Sequence, residues 1–242
     1  MAGDEACGLD RLRRLDPVAR EFLHFGEVRD FPLADLLDLP GTAEEEADLE
    51  GTAVADGLFW VVGSHGLKRK NARPDREHAE NAKRLAKVAL DGNRRLLACL
   101  PIEPDASAEP CLVREAKDGR RAMRLKGDAQ VNPLTRALAD DPHFGPYMTI
   151  PGKDNGFDIE GLAVDGRRLL LGLRGPVLRG WSGLTESVSL PHGHGTNRAE
   201  AICDLPPTLS GGKPSWLVLY DAPGPDRKEG AYTVFGDLLR HD

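Results

Sequence analysis

Two short acidic motifs hold the residue types in this chain that could do chemistry. The first is Asp48-Leu49-Glu50-Gly51, and the second, 110 positions later, is Asp158-Ile159-Glu160-Gly161. Alternate residues of a strand face the same side, so each motif predicts two carboxylates on one face. If the motifs occupy equivalent positions of a repeat, both pairs face one pocket and repel each other unless a cation lies between them.

Calcium prefers such clusters of carboxylate oxygens. The motifs therefore predict a Ca²⁺ site whose ligands are Asp48, Glu50, Asp158 and Glu160. The alternative needs no ion. Each Asp would then cap a turn, and each Glu would accept backbone N–H bonds at the start of a strand.

A glycine-containing motif follows each acidic motif: Gly63-Ser64-His65-Gly66 in the first copy and Gly172-Leu173-Arg174-Gly175 in the second. Adjacent strand residues face opposite sides, so Ser64 and His65 do not form a nucleophile and its base. His65 alone could move a proton, because the pKa of histidine lies near neutrality. We therefore predict His65 as a candidate catalytic residue.

Arg174 occupies the position that Ser64 and His65 occupy in the first copy. A guanidinium between glycines could bind a phosphate or carboxylate in bidentate fashion. We predict that Arg174, as a catalytic and substrate-binding residue, holds a small anionic ligand together with Lys153 and Ser64. The alternative is a structural ion pair between Arg174 and either Glu50 or Glu160.

Other residues that bind metals are less suggestive. His192 and His194 could ligate a metal from a strand, although the Gly and Pro residues around them favour a loop. The cysteines lie far apart without a CxxC spacing, which excludes zinc-ribbon and thioredoxin-like classes and is typical of reduced thiols. They are Cys7, Cys99, Cys111 and Cys203.

Composition places further limits on the class of protein. The chain has 242 residues and a net charge of −7, so it offers no general electrostatic attraction to nucleic acid. Its N-terminus is acidic and lacks the apolar stretch of a secretory signal, and no apolar run approaches the ~20 residues of a membrane span. We therefore expect a cytoplasmic protein that does not bind membranes or nucleic acid; a protein partner is not indicated.

The chain is interrupted often by its 27 Gly and 18 Pro, which favours many short secondary-structure elements. An Asp-Gly turn between β-rich runs predicts a hairpin over 52–62, and the same pattern recurs around 164–171. Other strands are predicted at 95–102, 188–190, 216–220 and 232–235, and helices at 74–90 and 134–139. Residues 9–39 are expected to be helical or irregular.

These elements predict an all-β, propeller-like fold of about four to five blades with a short helical insertion. The chain would comprise a lead-in segment over 1–45 and a single domain over 46–242. Because a blade takes about 40–45 residues, the two acidic motifs are expected to lie two or three blades apart.

Several blocks of sequence resemble the bacterial family known as domain of unknown function 3616. They are Asp48–Gly51, Gly63–Gly66 with Lys68–Lys70, Lys153–Gly161 and Gly172–Trp181, and the resemblance runs from about Phe31 to Phe235. It implies a propeller-like fold but no assigned biochemistry. Members usually carry a β-rich segment ahead of the first acidic motif, so this chain resembles a member shortened at its N-terminus, or one whose first blades are missing. Cys203 stands where the family tends to place Arg.

Together these expectations favour a divalent-cation-dependent hydrolase-type site for a phosphate or carboxylate ester. The ion would polarise a substrate oxygen, Arg174 and Lys153 would hold the anionic part, and His65 could move a proton. The alternative is a non-catalytic propeller module that binds a ligand or a protein.

Overall fold

The computed structural model of the protein describes residues 7–15, 24–177, 198–205, 215–221, 227–229, 233–234 and 237–240. These residues fall into two compact units. The first contains 7–15 and 25–177, and the second contains the described residues from 198 onward together with residue 24. The division falls inside the span 46–242 that the sequence predicts as one domain.

The first unit begins with strands rather than with a helix. Strand β1 is Gly8–Leu15 and pairs with β2, His24–Pro32, which leads into the single-turn helix α1, Leu33–Leu36. The prediction of a helical or irregular lead-in was therefore wrong for β1 and β2, whereas α1 is helical. Leucines three apart suit a helix in isolation, but strand pairing buries Leu9 at 2% exposure in the same core as Leu33. Tertiary packing thus overrides local spacing.

The first repeat forms the predicted hairpin. Strand β3 is Leu49–Ala55 and pairs antiparallel with β4, Leu58–Gly63. The two-residue turn consists of Asp56 and Gly57, both with positive φ (51° and 70°), as a hairpin turn of this type requires.

A small insertion follows the first hairpin. It contains β5 (Lys68–Arg69), the helix α2 (His78–Leu85) and β6 (Val88–Ala89), and β5 pairs with β6. The helix predicted over 74–90 is thus shorter than expected. None of the side chains of α2 is buried, so no packed face extends the helix beyond two turns. No helix in the described part of the chain has the length and apolar character to cross a bilayer.

Three more strands complete the first sheet: β7 (Leu97–Pro104), β8 (Pro110–Leu112) and β9 (Met123–Arg124). The order is β3-β4-β7-β8, all antiparallel, and β9 also pairs with β7. The predicted strand at 95–102 is confirmed. Helix α3, Pro133–Ala139, confirms the second predicted helix, which Asn132 caps by accepting a bond from the backbone N–H of Thr135 at 2.9 Å.

The second repeat forms the hairpin of β10, Asp158–Asp165, and β11, Arg168–Gly175. Strand β10 lies directly against β3. A Cβ atom added to Gly51 would lie 2.7 Å from the backbone nitrogen of Leu162 and 2.8 Å from the carbonyl carbon of Gly161. The expectation that the two copies lie two or three blades apart was therefore wrong. The intervening residues form the insertion, β7–β9 and α3 instead of separate units.

Both acidic motifs carry the same backbone irregularity. In β3, Leu49 pairs with Gly63 and Gly51 pairs with Val62, so Glu50 has no partner in the register. In β10, Ile159 pairs with Leu173 and Gly161 with Gly172, so Glu160 is the extra residue. Each glutamate is thus the extra residue of a β-bulge, a feature that redirects side chains and is common beside functional sites.

The second unit contains β12 (Arg198–Leu205), β13 (Ser215–Asp221), β14 (Lys228–Glu229), β15 (Thr233–Val234) and β16 (Asp237–Arg240). Strand β13 pairs antiparallel with both β12 and β16. The predicted strand at 216–220 is confirmed, and that at 232–235 is confirmed for its two central residues. The predicted strand at 188–190 lies outside the described residues. The structure is mostly β with few helices, as predicted.

The close approach at Gly51 generates a prediction with a matched control. Gly51→Ala forces the new methyl group into the backbone of β10, so we expect a loss of about 1–3 kcal/mol of unfolding free energy. At Gly161, the nearest atom to an added Cβ is 3.7 Å away. Gly161→Ala is therefore expected to change stability by less than about 1 kcal/mol. Urea unfolding of both variants checks this, and equal losses would contradict it.

Candidate functional site

The four predicted carboxylates come together where β3 meets β10. Asp48 immediately precedes β3 with a left-handed φ of 47°, and Glu50 occupies the first bulge. Asp158 begins β10 and Glu160 occupies the second bulge. Asp48 and Asp158 are buried, at 8% and 2% exposure, whereas both glutamates are partly exposed. The site thus has two buried aspartates with a glutamate beside each of them.

Arg94 neutralises part of the first motif. It lies in a single-turn helix over 92–95, and its guanidinium is 2.8 Å from the Asp48 carboxylate and 2.7 Å from that of Glu46. It also donates a hydrogen bond of 3.3 Å to the Ser64 hydroxyl. Arg94 and Ser64 are both buried, so this arrangement fixes the first half of the site in place.

Arg174 performs the corresponding role in the second motif. Its guanidinium forms ion pairs with the carboxylates of Asp158 and Glu160. The ion pair between Arg174 and Glu160, given above as the alternative to anion binding, is thus present in the structure. The side chain of Arg174 is 43% exposed, whereas that of Asp158 is 3% exposed. Arg174 thus lies on the solvent side of the cluster.

Two glycines make room for the Asp158 carboxylate. A Cβ added to Gly66 would lie 2.9 Å from one carboxylate oxygen, and one added to Gly152 would overlap the other. The main chain beside Gly66 is also hydrogen-bonded to β10, since the backbone N–H of Ile159 donates to the Ser64 carbonyl at 2.8 Å. Gly66 and Gly152 therefore allow the backbone to approach a buried carboxylate closely.

Carboxylates outnumber guanidinium groups in this cluster, and Glu50 shows the effect most strongly. Burial and the negative charges of Asp48, Glu160 and Asp158 raise the pKa of Glu50 to about 8, against a smaller opposing effect of Arg174. Burial also raises the pKa of Asp158, although Arg174 acts in the opposite direction. Glu50 therefore holds a proton through the neutral pH range.

His65 lies beside the cluster but is turned into the protein. Its ring is buried, Nδ1 donates to the Gly63 carbonyl at 2.9 Å, and Nε2 accepts from the Asn132 amide at 3.1 Å. Burial lowers the pKa of His65 to about 4, so the ring is neutral at pH 7. Proton transfer by His65 stays a prediction, and the engagement of both ring nitrogens favours a structural role.

The remaining residues that the sequence analysis singled out lie in different parts of the chain. Lys153 is exposed in a single-turn helix over 152–154, next to the glycine that contacts Asp158. In the described part of the chain, no group of three or more His, Cys, Asp or Glu side chains is already in position to hold a metal ion. His192 and His194 lie outside the described residues. Cys7, Cys99 and Cys111 are free thiols.

The sequence analysis predicted neither the ion pairs that join Glu46 and Arg94 to the cluster nor a third bulge. Glu46 and Arg94 lie far apart in the chain and belong to neither motif, so only the fold connects them. In β12, Ala199 pairs with Tyr220 and Ala201 with Leu219, which makes Glu200 the extra residue of a third bulge. The sequence contains a signal for this third bulge, because a Glu followed by a small residue and an apolar residue recurs 40 positions after Glu160.

The pKa of Glu50 predicts a dependence of stability on pH. The folded chain keeps a proton that the unfolded chain loses above the ordinary value of 4.5, so this group destabilises the fold progressively as pH rises from there toward 8. Glu50→Gln removes this penalty. The melting temperature of the variant, relative to the parent, should therefore be higher at about pH 9 than at about pH 5.

Asp165→Asn, at the exposed end of the same hairpin as Glu160, provides the control for a lost carboxyl group. Its effect on melting temperature should vary less with pH. If the two variants show the same pH dependence, Glu50 does not have the raised pKa described here.

Comparison with known proteins gives one match. No curated protein and no solved structure matches the chain. A family model described as a protein of unknown function, DUF3616, matches residues 1–187 and 182–237. These spans include both acidic motifs, both glycine motifs and the strands β1–β15. The chain belongs to the DUF3616 family.

Proposed function

We propose that the junction of β3 and β10 is a hydrolase-type site for a phosphate or carboxylate ester, completed by a divalent cation. The observation that carries this proposal is the charge imbalance around Glu50. Burial and the negative charges of three other carboxylates raise the pKa of Glu50 to about 8, and Arg174 only partly offsets them. A hard cation would relieve this repulsion, and carboxylate oxygens are the donors that calcium prefers.

The candidate ligands are Asp48, Glu50, Asp158 and Glu160. Their donor type fits calcium, but with Arg174 paired to Asp158 and Glu160 the oxygens are directed at a guanidinium. Binding therefore requires Arg174 to leave these two carboxylates. Its 43% exposed side chain has access to solvent, whereas Arg94, buried against Asp48, would stay in place.

The residues of the chain would then divide the work. Arg174, released from its carboxylates, would hold the anionic part of the substrate, and the exposed Lys153 would add a second positive charge nearby. Asp48 and Asp158 would remain fixed by Arg94 and by the glycines around them. A bound divalent cation supplies polarisation of an ester oxygen, which makes the ester more reactive toward water.

We also propose a propeller-like arrangement. The antiparallel order β3-β4-β7-β8 is that of a four-stranded blade, and β3 and β10 are both the first strands of their hairpins. First strands of neighbouring blades approach each other near the axis of a propeller. The bulges at Glu160 and Glu200 are 40 positions apart, which is about the length of a blade.

The second candidate function is a non-catalytic binding module. The ion pairs of Arg94 and Arg174 favour it, since they give Asp48, Asp158 and Glu160 a partner without an ion. In that case the acidic motifs serve to hold β3 against β10. Calcium binding distinguishes the two candidates.

Calorimetric titration of calcium into chelator-treated protein tests the cation site. We expect saturable binding that strengthens with pH by at most about tenfold per unit below the Glu50 pKa, because the ion displaces the Glu50 proton. Glu50→Gln and Glu160→Gln should each abolish or weaken binding, whereas Asp165→Asn should not. Absence of binding in the parent protein would leave the binding module as the better candidate.

Ester hydrolysis tests the chemistry itself. With calcium present, para-nitrophenyl phosphate and para-nitrophenyl acetate should show turnover that a chelator stops. Arg174→Gln should lower kcat/KM by about 10²-fold for the better substrate, the usual cost of losing a charge-stabilising donor. Arg168→Gln removes the same charge at the exposed start of the same strand and should have little effect. Calcium binding without turnover of either ester would contradict the hydrolase.

A further inference from the structure

A second candidate site lies in the first unit, on a surface that shares no residue with the acidic cluster. A cleft of about 340 Å³ is bordered by the end of α1, the start of β9 and the residues that follow β9. This volume lies at the lower end of the range found for small-molecule sites, about 300–1,000 Å³.

One side of the cleft is apolar. Leu36 and Leu37 line it from the end of α1, and Met123 lines it from β9. Leu37 belongs to the hydrophobic core at 5% exposure and gives the cleft a fixed floor, whereas Met123 is 60% exposed. An exposed methionine costs little to leave in water and adapts its shape to an apolar partner.

The other side is positively charged. Arg114, Arg124 and Lys126 contribute three positive charges against one negative charge from Asp38, which gives a local excess of two in a chain of net charge −7. This local sign is opposite to that of the whole protein. It favours an anionic ligand over a neutral or cationic one.

Arg124 is held in position without being neutralised. Its Nε donates to the Asp38 carbonyl, and its Nη1 donates to the carbonyls of Leu125 and Gly127, each at 3.1 Å. All these acceptors are backbone oxygens, so the guanidinium keeps its net positive charge. Because the side chain is already ordered, binding an anion there costs little conformational entropy.

Asp38 limits access to the second arginine. Its carboxylate lies 2.7 Å from the Arg114 guanidinium, with the two side chains 86% and 56% exposed. An exposed ion pair of this kind contributes little to stability, so a ligand anion can compete with Asp38 for Arg114. The pair therefore weakens binding without blocking it.

From this combination we propose that the cleft binds a small organic phosphate whose ester group is apolar. The phosphate would contact Arg124, Lys126 and, after displacement of Asp38, Arg114. The apolar group would pack on Leu37 and Met123.

Calorimetry with phenyl phosphate as the probe tests this site, with inorganic phosphate and phenol as its two halves. Phenyl phosphate should bind at least about tenfold more tightly than either half, because both sides of the cleft contribute. Lys126→Gln should weaken it by about tenfold, the effect of one lost charge-assisted contact. Binding of phenyl phosphate no tighter than that of inorganic phosphate would overturn the proposal.

Two further variants separate the cleft from general charge effects. Lys117→Gln removes an exposed positive charge between β8 and β9 outside the cleft, and it should leave affinity within about twofold. Asp38→Asn keeps the backbone carbonyl that orders Arg124 but frees Arg114, so it should tighten binding severalfold. Equal weakening by Lys117→Gln and Lys126→Gln, or no gain with Asp38→Asn, would show that the cleft is not the site.

Discussion

The contact between the backbones of β3 and β10 at Gly51 is the constraint on which the candidate site depends. A side chain there would meet the main chain of Gly161 and Leu162. Because only glycine permits this approach, two motifs that are 110 residues apart in sequence place their acidic residues in one cluster. Gly51 thus has a packing role in addition to any chemistry of its neighbours, whereas at Gly161 there is room for a methyl group.

The carboxylates of the cluster repel each other. Two arginines, one buried and one partly exposed, form ion pairs with them. Arg94 is buried and bridges Asp48 and Glu46, so removing it would take a positive charge away from a buried aspartate. Arg174 forms the equivalent bridge from the exposed side. One half of the cluster is therefore paired with a buried guanidinium, whereas the guanidinium of the other half is 43% exposed. The raised pKa of Glu50 keeps its carboxyl group protonated at neutral pH.

Much of the local structure could be predicted from sequence, and the failures have specific causes. The Asp56-Gly57 turn, in which both residues have positive φ, correctly predicted the first hairpin. The spacing of Leu9, Leu12 and Leu15 favours a helix. This prediction was wrong because strand pairing with β2 outweighed a weak helical pattern. The four carboxylates were identified by repetition alone. Arg94 was not, since its link to Asp48 is purely tertiary, and a bulge cannot be inferred until the partner strand is known.

The exposed helix α2 has a consequence for how the first unit responds to stress. It buries no side chain, and it is held largely by polar contacts such as those of Asn81 with the backbone of Arg73 and Arg76. Its melting would expose little apolar surface and would leave the sheet β3-β4-β7-β8 intact. Opening of this segment is thus thermodynamically separate from loss of the core. The insertion is therefore a place where the chain can accept a protease cut, a fluorophore or an added domain while the packed strands beneath it persist.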